Sequence, residues 1–212
     1  MPTPPNARSV KIADDERGGW SSDRPRRGGP PRPADISVRC RVLSPSESLR
    51  YSPGSLLLIA SASAPQRDEF AERLIQSRGS LLSLDKVRRL LEGRVGPDEL
   101  ESRAEELLDA ALRKRLEAGE TTVVTARGLD AEERDRYARP AAAARRPRHL
   151  ILLEARQADV ADEDRAPLNE LRRRLDAGEL GAEGFQTALR LGGASISELK
   201  RIAFASQPRD DD

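Results

Sequence analysis

The stretch "SLLLIASASAPQRDEFAERL", residues 55–74, runs an apolar segment through small residues into an amphipathic helix. That is the outline of a loop that holds phosphate at a helix N-terminus. Such chemistry needs glycines whose backbone lets successive N–H groups converge, a lysine for the phosphates and a hydroxyl for a magnesium ion. Here the small residues are Ser and Ala, the cation is Arg67 and an aspartate, Asp68, follows it. Two other reactive side chains stand alone. Cys40 is the sole cysteine, which excludes an internal disulfide and a multi-cysteine zinc site, and His149, the sole histidine, builds no His-based metal centre by itself. Cys40 reads as a small apolar residue facing the core, and His149 as a strand-end residue.

The 212 residues, 37% of them hydrophobic, suffice for one ordinary domain with tails. With 37 basic and 36 acidic side chains, the net charge of +1 exerts no global pull toward nucleic acid or anionic lipid. Only Lys11, Lys86, Lys114 and Lys200 accompany the arginines, a bias read as GC-rich coding and not as selection for guanidinium chemistry. No apolar run approaches the roughly 18 residues of a membrane span, and the N-terminus lacks the apolar core of a signal peptide. The expected location is a reducing cytoplasm, without membrane contact.

Residues 1–33, dense in Pro, Gly, Arg and Asp, read as a disordered arm. Its "RPRRGGPPRP", with Trp20 as a stacking group, offers a contact to RNA or an acidic partner, although residues 1–50 carry an excess of only four positive charges. In "DISVRCRVL" the alternation of Ile36, Val38, Cys40 and Val42 predicts a half-buried strand. The continuous run Leu56–Ile59 predicts a central strand covered on both faces. Beyond it, a helix over about 66–77, a short strand in "LLSLD", a helix over 86–91, a long helix that starts at Pro97 and ends just before Gly119, a strand in "TTVVTA", a helix in "DAEERDRYA" and a strand in "HLILLEA" alternate. On the long helix, Leu100, Ala104, Leu107, Ala111 and Leu112 are the expected inner face. This pattern predicts a doubly wound α/β domain over 34–160, with its ligand site where the loops after Ile59, Leu84 and Val124 meet.

The order of these loops resembles the P-loop kinases of the polynucleotide kinase type, an AAA-type ATP-binding fold that includes the kinase part of polynucleotide kinase-phosphatases. The resemblance spans roughly residues 54–190. In "LLSLDKVRRLLEG", Ser83, Asp85 and Arg88 stand at the family's Ser-x-Asp-x-x-Arg positions. It implies that Asp85 is the general base for an accepting hydroxyl and that Arg88 holds a substrate phosphate. Read without the resemblance, D-x-x-R is a common capping aspartate with an exposed arginine. Aligned on "FA" of the helix, Ser61 takes the first glycine position, Gln66 the second, Arg67 the lysine and Asp68 the hydroxyl, a degenerate Walker A. "TARG", with Thr125 and Arg127, stands where the family has Asp-Ala-Thr-Asn. By the same resemblance Arg156 and Arg165 belong to a lid, among Asp159, Asp162, Glu163 and Asp164.

Residues 161–205 read as a helical lid region. Within it "PLNELRRRLDAGELGAEGFQTALRLGG", residues 167–193, predicts an αα-hairpin over 167–191 that offers a surface for oligomerisation, with Arg172, Arg173 and Arg174 on a solvated face. Its "EGF" resembles a short element of the same kinases, and residues 206–212 form a polar tail. The expected function is a non-catalytic, pseudokinase-like domain acting as a binding or regulatory module for a protein or nucleic-acid partner, without a cofactor. The alternative is a divergent ATP- and Mg-dependent kinase acting on a nucleic-acid 5′-hydroxyl or a small hydroxyl substrate.

Overall fold

The structure is a computed structural model, and it describes residues 33–205. The chain divides into two units, 1–34 and 35–212. Residues 1–32 of the N-terminal arm, Trp20 among them, and the tail 206–212 lie outside the described residues. In chain order the strands are β1 (Arg41–Leu43), β2 (Ser48–Tyr51), β3 (Leu56–Ala60), β4 (Leu81–Ser83), β5 (Thr122–Ala126), β6 (Arg148–Leu153), β7 (Thr187–Leu191) and β8 (Arg201–Phe204). The helices are α1 (Ala64–Leu74), α2 (Leu84–Leu91), α3 (Pro97–Glu117), α4 (Ala131–Ala143), α5 (Asp162–Asp176) and α6 (Ala194–Glu198).

Six strands form one sheet in the order β1-β7-β6-β3-β5-β4, with every neighbouring pair parallel. A strand with helices on both faces needs apolar residues at every position. In β3 all five are fully buried. Alternation sends Leu56, Leu58, Val124, Leu150 and Leu152 to the face covered by α3, α4 and α5. Leu57, Ile59, Val123, Ile151 and Leu153 point to the opposite face, against Phe70, Ala71 and Leu74 of α1. That second face is completed by a two-stranded parallel ribbon of β2 and β8, which supplies Leu49, Tyr51 and Ile202. The doubly wound α/β fold expected from the sequence is therefore present.

Three local expectations change. Residues 187–191, expected as the second helix of a hairpin, are β7, an internal strand between β1 and β6. The region 161–205 is accordingly not a separate helical lid: α5 lays Leu168, Leu171 and Leu175 on the sheet, and β7 completes it. The chain after α5 leaves the helical path at Gly178 and Gly184, both left-handed, and emerges extended. On α3 the buried face is Ala104, Leu108, Leu112 and Leu116, an i, i+4 repeat that turns Leu107 outward to 42% exposure. The N-terminal strand is shorter than predicted. Residues 33–40 form no strand, although the Val38 N–H bonds the Gly181 carbonyl, Ile36 and Cys40 do pack on the core, and burial raises the Cys40 thiol pKa.

The topology fixes where a ligand meets the sheet. From β3 the chain goes two places to one side, to β4, whereas from β5 it crosses β3 to reach β6. The direction of winding reverses between β3 and β5, and a crevice opens outside their carboxyl ends.

Candidate functional site

The turn that leaves β3 has three residues, 61–63, before α1 begins at Ala64. Fully buried Ser61 accepts the Ser63 backbone N–H on its Oγ at 3.1 Å. Gln66 donates from Nε2 to the carbonyl of Glu154 at 3.2 Å, tying α1 to the end of β6, while its Oε1 lies 3.4 Å from the Ser61 hydroxyl. Pro65 has no N–H, and the Arg67 N–H is taken by the Ser63 carbonyl at 3.1 Å. Arg145 is the non-glycine residue with positive φ among the described residues, so residues 61–66 contain no left-handed position.

The Arg67 side chain, 6% exposed, reaches Asp68 from Nε and Asp85 from Nη2, each at 3.2 Å. Asp85, in the first turn of α2, receives Arg88 at 2.7 Å on its other oxygen. Arg88 also makes a two-pronged contact with Glu101 of α3, and that bond holds the Glu101 carboxyl below its ordinary range and Arg88 above its own. Asp85 thus lies between two guanidiniums, with the sequence-predicted pair Asp85 and Arg88 in direct contact.

The turn that leaves β5 is built differently. Gly128 has φ +64°, and a Cβ there would stand 2.6 Å from the Cβ of Ala60, so the turn rests directly on the end of β3. Its N–H donates to Glu133 at 2.7 Å. Arg134, 2% exposed, donates to the Gly128 and Leu129 carbonyls at 3.0 and 2.8 Å and to both oxygens of Glu183 at 2.6 and 2.7 Å. Glu183 also takes Arg174 at 2.5 Å. The "EGF" element therefore acts as a buried anchor for the β5 turn. Arg127, half exposed, reaches Asp130 and Asp164.

Between α2, α3, α4 and the end of β5 lies a cavity of about 880 Å³. It gathers Arg67, Asp85, Arg88 and Thr125 from the sequence-predicted set, whereas Ser61, Gln66 and Asp68 do not line it. Arg156 and Arg165 are not part of it either. They pair with Asp159 and Asp162 one turn away on their own segment, and Arg165 lines a separate cleft with Arg172. Arg172 and Arg174, expected on a solvated face, reach inward to Glu154 and Glu183.

Sequence reasoning missed the α3 carboxylates Glu101, Glu105 and Asp109, which line the cavity wall. Their i, i+4, i+8 spacing was a legible signal. Tyr137, also on the wall, has its phenol pushed up to about 12 by burial and then by Glu133. His149 sits at the amino end of β6, away from the crevice. It is stacked on Tyr51 at 4.4 Å and bonded through Nδ1 to Thr187 at 2.9 Å.

Sheet order, crevice and loop positions define a P-loop-kinase-like α/β domain. A sequence model described as an AAA domain matches residues 68–177, just over half of the chain, and the chain belongs to that family. The match begins at Asp68, after the β3 turn. A solved structure from Chloroflexus aurantiacus, described as a "putative kinase", is similar at a TM-score of 0.43 and 16% identity, over 70% of this chain and 88% of that one. A search of the curated proteins finds no match. No helix among the described residues is long and apolar enough to cross a membrane.

Proposed function

We propose that this AAA-family domain is a pseudokinase-type binding module, in which protein groups have taken over the place of a nucleotide's phosphates. The observation that carries this reading is the β3 turn. A triphosphate needs converging, unengaged N–H groups, yet the Ser63 and Arg67 N–H groups are bonded within the chain and Pro65 has none. The Gln66 side chain bridges from α1 to Glu154, and Arg67 is committed to Asp68 and Asp85. As they stand, these residues do not fit a Mg-bound triphosphate.

A ligand that binds the native state raises its melting temperature. Thermal denaturation with and without Mg·ATP is therefore expected to show no shift. A clear upward shift that Arg67→Ala abolishes would overturn the reading. One observation favours a second reading, a divergent kinase: Asp85 stands on the cavity wall between two guanidiniums, where it could orient a hydroxyl. That reading requires transfer of labelled γ-phosphate to a 5′-hydroxyl oligonucleotide or a small alcohol, and its loss in Asp85→Asn. No transfer by the unaltered protein removes it.

A further inference from the structure

The two edges of the main sheet are finished differently. At the β1 edge Val42 is 43% exposed, but Arg39 and Arg41 flank it, and neither forms an ion pair among the described residues. Free charges of one sign discourage a second copy from adding at that edge. At the other edge β4 is Leu81-Leu82-Ser83, with no charge in the strand and both leucines half-buried.

The helix that follows β4 is also incompletely covered. α2 carries Leu84, Val87, Leu90 and Leu91, yet none of its eight residues is buried and Leu90 is 65% exposed. What holds it is partly polar: Arg88 grips Glu101 of α3, and Lys86 reaches Glu72 of α1 at 3.0 Å. At about 100° per residue, Val87 and Leu90 lie on the side of α2 away from Asp85 and Arg88, just as Leu100 and Leu107 of α3 lie away from Glu101 and Glu105. The cavity therefore occupies one flank of the helix pair, and an exposed leucine from each helix marks the other. Because the cavity opens toward β5, that second flank continues the free edge of β4.

The charges beside the leucines indicate what covers them. Around the α2–α3 connection Arg89, Arg94, Glu92, Asp98 and Glu99 are exposed, and none has an ion-pair partner among the described residues. A strongly acidic or basic partner would leave one of these signs opposed. A surface that meets its own copy across a two-fold axis needs both.

We propose that the Leu90–Leu107 flank is the interface of a two-fold dimer, in which a second copy completes the cover of α2. With the axis near Leu90, the leucines leave the water and the cations of one connection face the carboxylates of the other. The interface reaches the cavity through α2, which carries Asp85 and Arg88 on its opposite side. This inference goes beyond the binding-module reading and does not depend on it.

The test is sedimentation velocity of the full chain over a dilution series, paired with amide hydrogen exchange of residues 84–91 at the same concentrations. A reversible dimer is expected, with exchange in α2 slowing as the dimer fills. Leu90→Glu and, separately, Leu107→Glu replace exposed side chains, so each variant is expected to keep the melting temperature of the dilute monomer. Each substitution counts twice across a two-fold axis, and the dissociation constant is expected to rise about a hundredfold. Val42→Glu, at the opposite edge of the sheet, should leave the dimer intact. A chain that stays monomeric at every concentration, a dimer that neither leucine variant weakens, or one that Val42→Glu dissolves instead overturns the proposal. Exchange in α2 that ignores concentration while the dimer forms places the interface elsewhere and overturns it too.

Discussion

The turns that leave β3 and β5 start side by side and each feeds a helix bearing a buried arginine, yet they are closed in opposite ways. The β3 turn is tied by neutral bonds among Ser61, Ser63, Gln66 and a distant carbonyl, and its Arg67 makes two contacts of 3.2 Å at the edge of a cavity. The β5 turn is locked by Arg134, whose charge is met by Glu183 and two carbonyls in full burial. A guanidinium whose bonds are short, numerous and hidden is structural. One that remains at a cavity wall between two carboxylates keeps a chemical role open. The same residue type therefore carries different meanings at nearly the same distance beyond each strand, seven residues after β3 and eight after β5, and the partners decide which.

The largest expected effect tests the β5 side. Glu183→Ala leaves Arg134 buried without its carboxylate and is expected to cost about 3–5 kcal/mol in urea unfolding, the range for breaking a buried pair. A loss no greater than that of Arg67→Ala would erase the distinction between the two turns. Acid titration has to be separated from this, because the opposite end of the sheet also responds. Burial, and then Arg148, lower the His149 pKa to about 4 from 6.5. The unfolded chain then binds a proton that the folded chain refuses. Stability from this group is complete above pH 6.5, falls as pH drops toward 4, and levels below it. The total is roughly 3 kcal/mol. Unfolding free energy measured across that window should flatten in His149→Gln, and parallel curves would refute a buried neutral imidazole.

Gly128→Ala combines a left-handed backbone with a Cβ driven into Ala60, and a loss of about 2 kcal/mol is expected by thermal denaturation. Gln66→Ala, the corresponding change in the β3 turn, removes one bond to a carbonyl and is expected to cost about 1 kcal/mol. Reversal of that order would mean that the β3 turn, and not the β5 turn, anchors the crevice.

The elements that sequence made legible are those with long or uninterrupted patterns. Leu56–Ile59 announced a doubly covered strand, and the Pro97 start and Gly119 stop framed α3. β7 was misread because Ala188, Leu189 and Leu191 suit a helix as well as a strand, and only its neighbours β1 and β6 decide. β2 and β8 are four residues each, and β2 is embedded among turn formers. At the site, Asp85, Arg88, Arg67 and Thr125 were found because their chemistry is visible one residue at a time. Arg134 was not, since nothing in "DAEERDRYA" marks one arginine as buried when its partner Glu183 lies 49 residues on. The acidity of the cavity likewise arises only when α2, α3 and α4 are brought together.

The pairing of β1 with β7 and of β2 with β8 has a consequence in time. During synthesis, residues 41–51 emerge with no strand to join until residues 187–204 follow them. At about 5–20 residues per second that interval is about seven to thirty seconds. Over it Leu49 and Tyr51 are left in water, so this N-terminal segment is the part of the described domain most exposed to chaperones before the sheet closes.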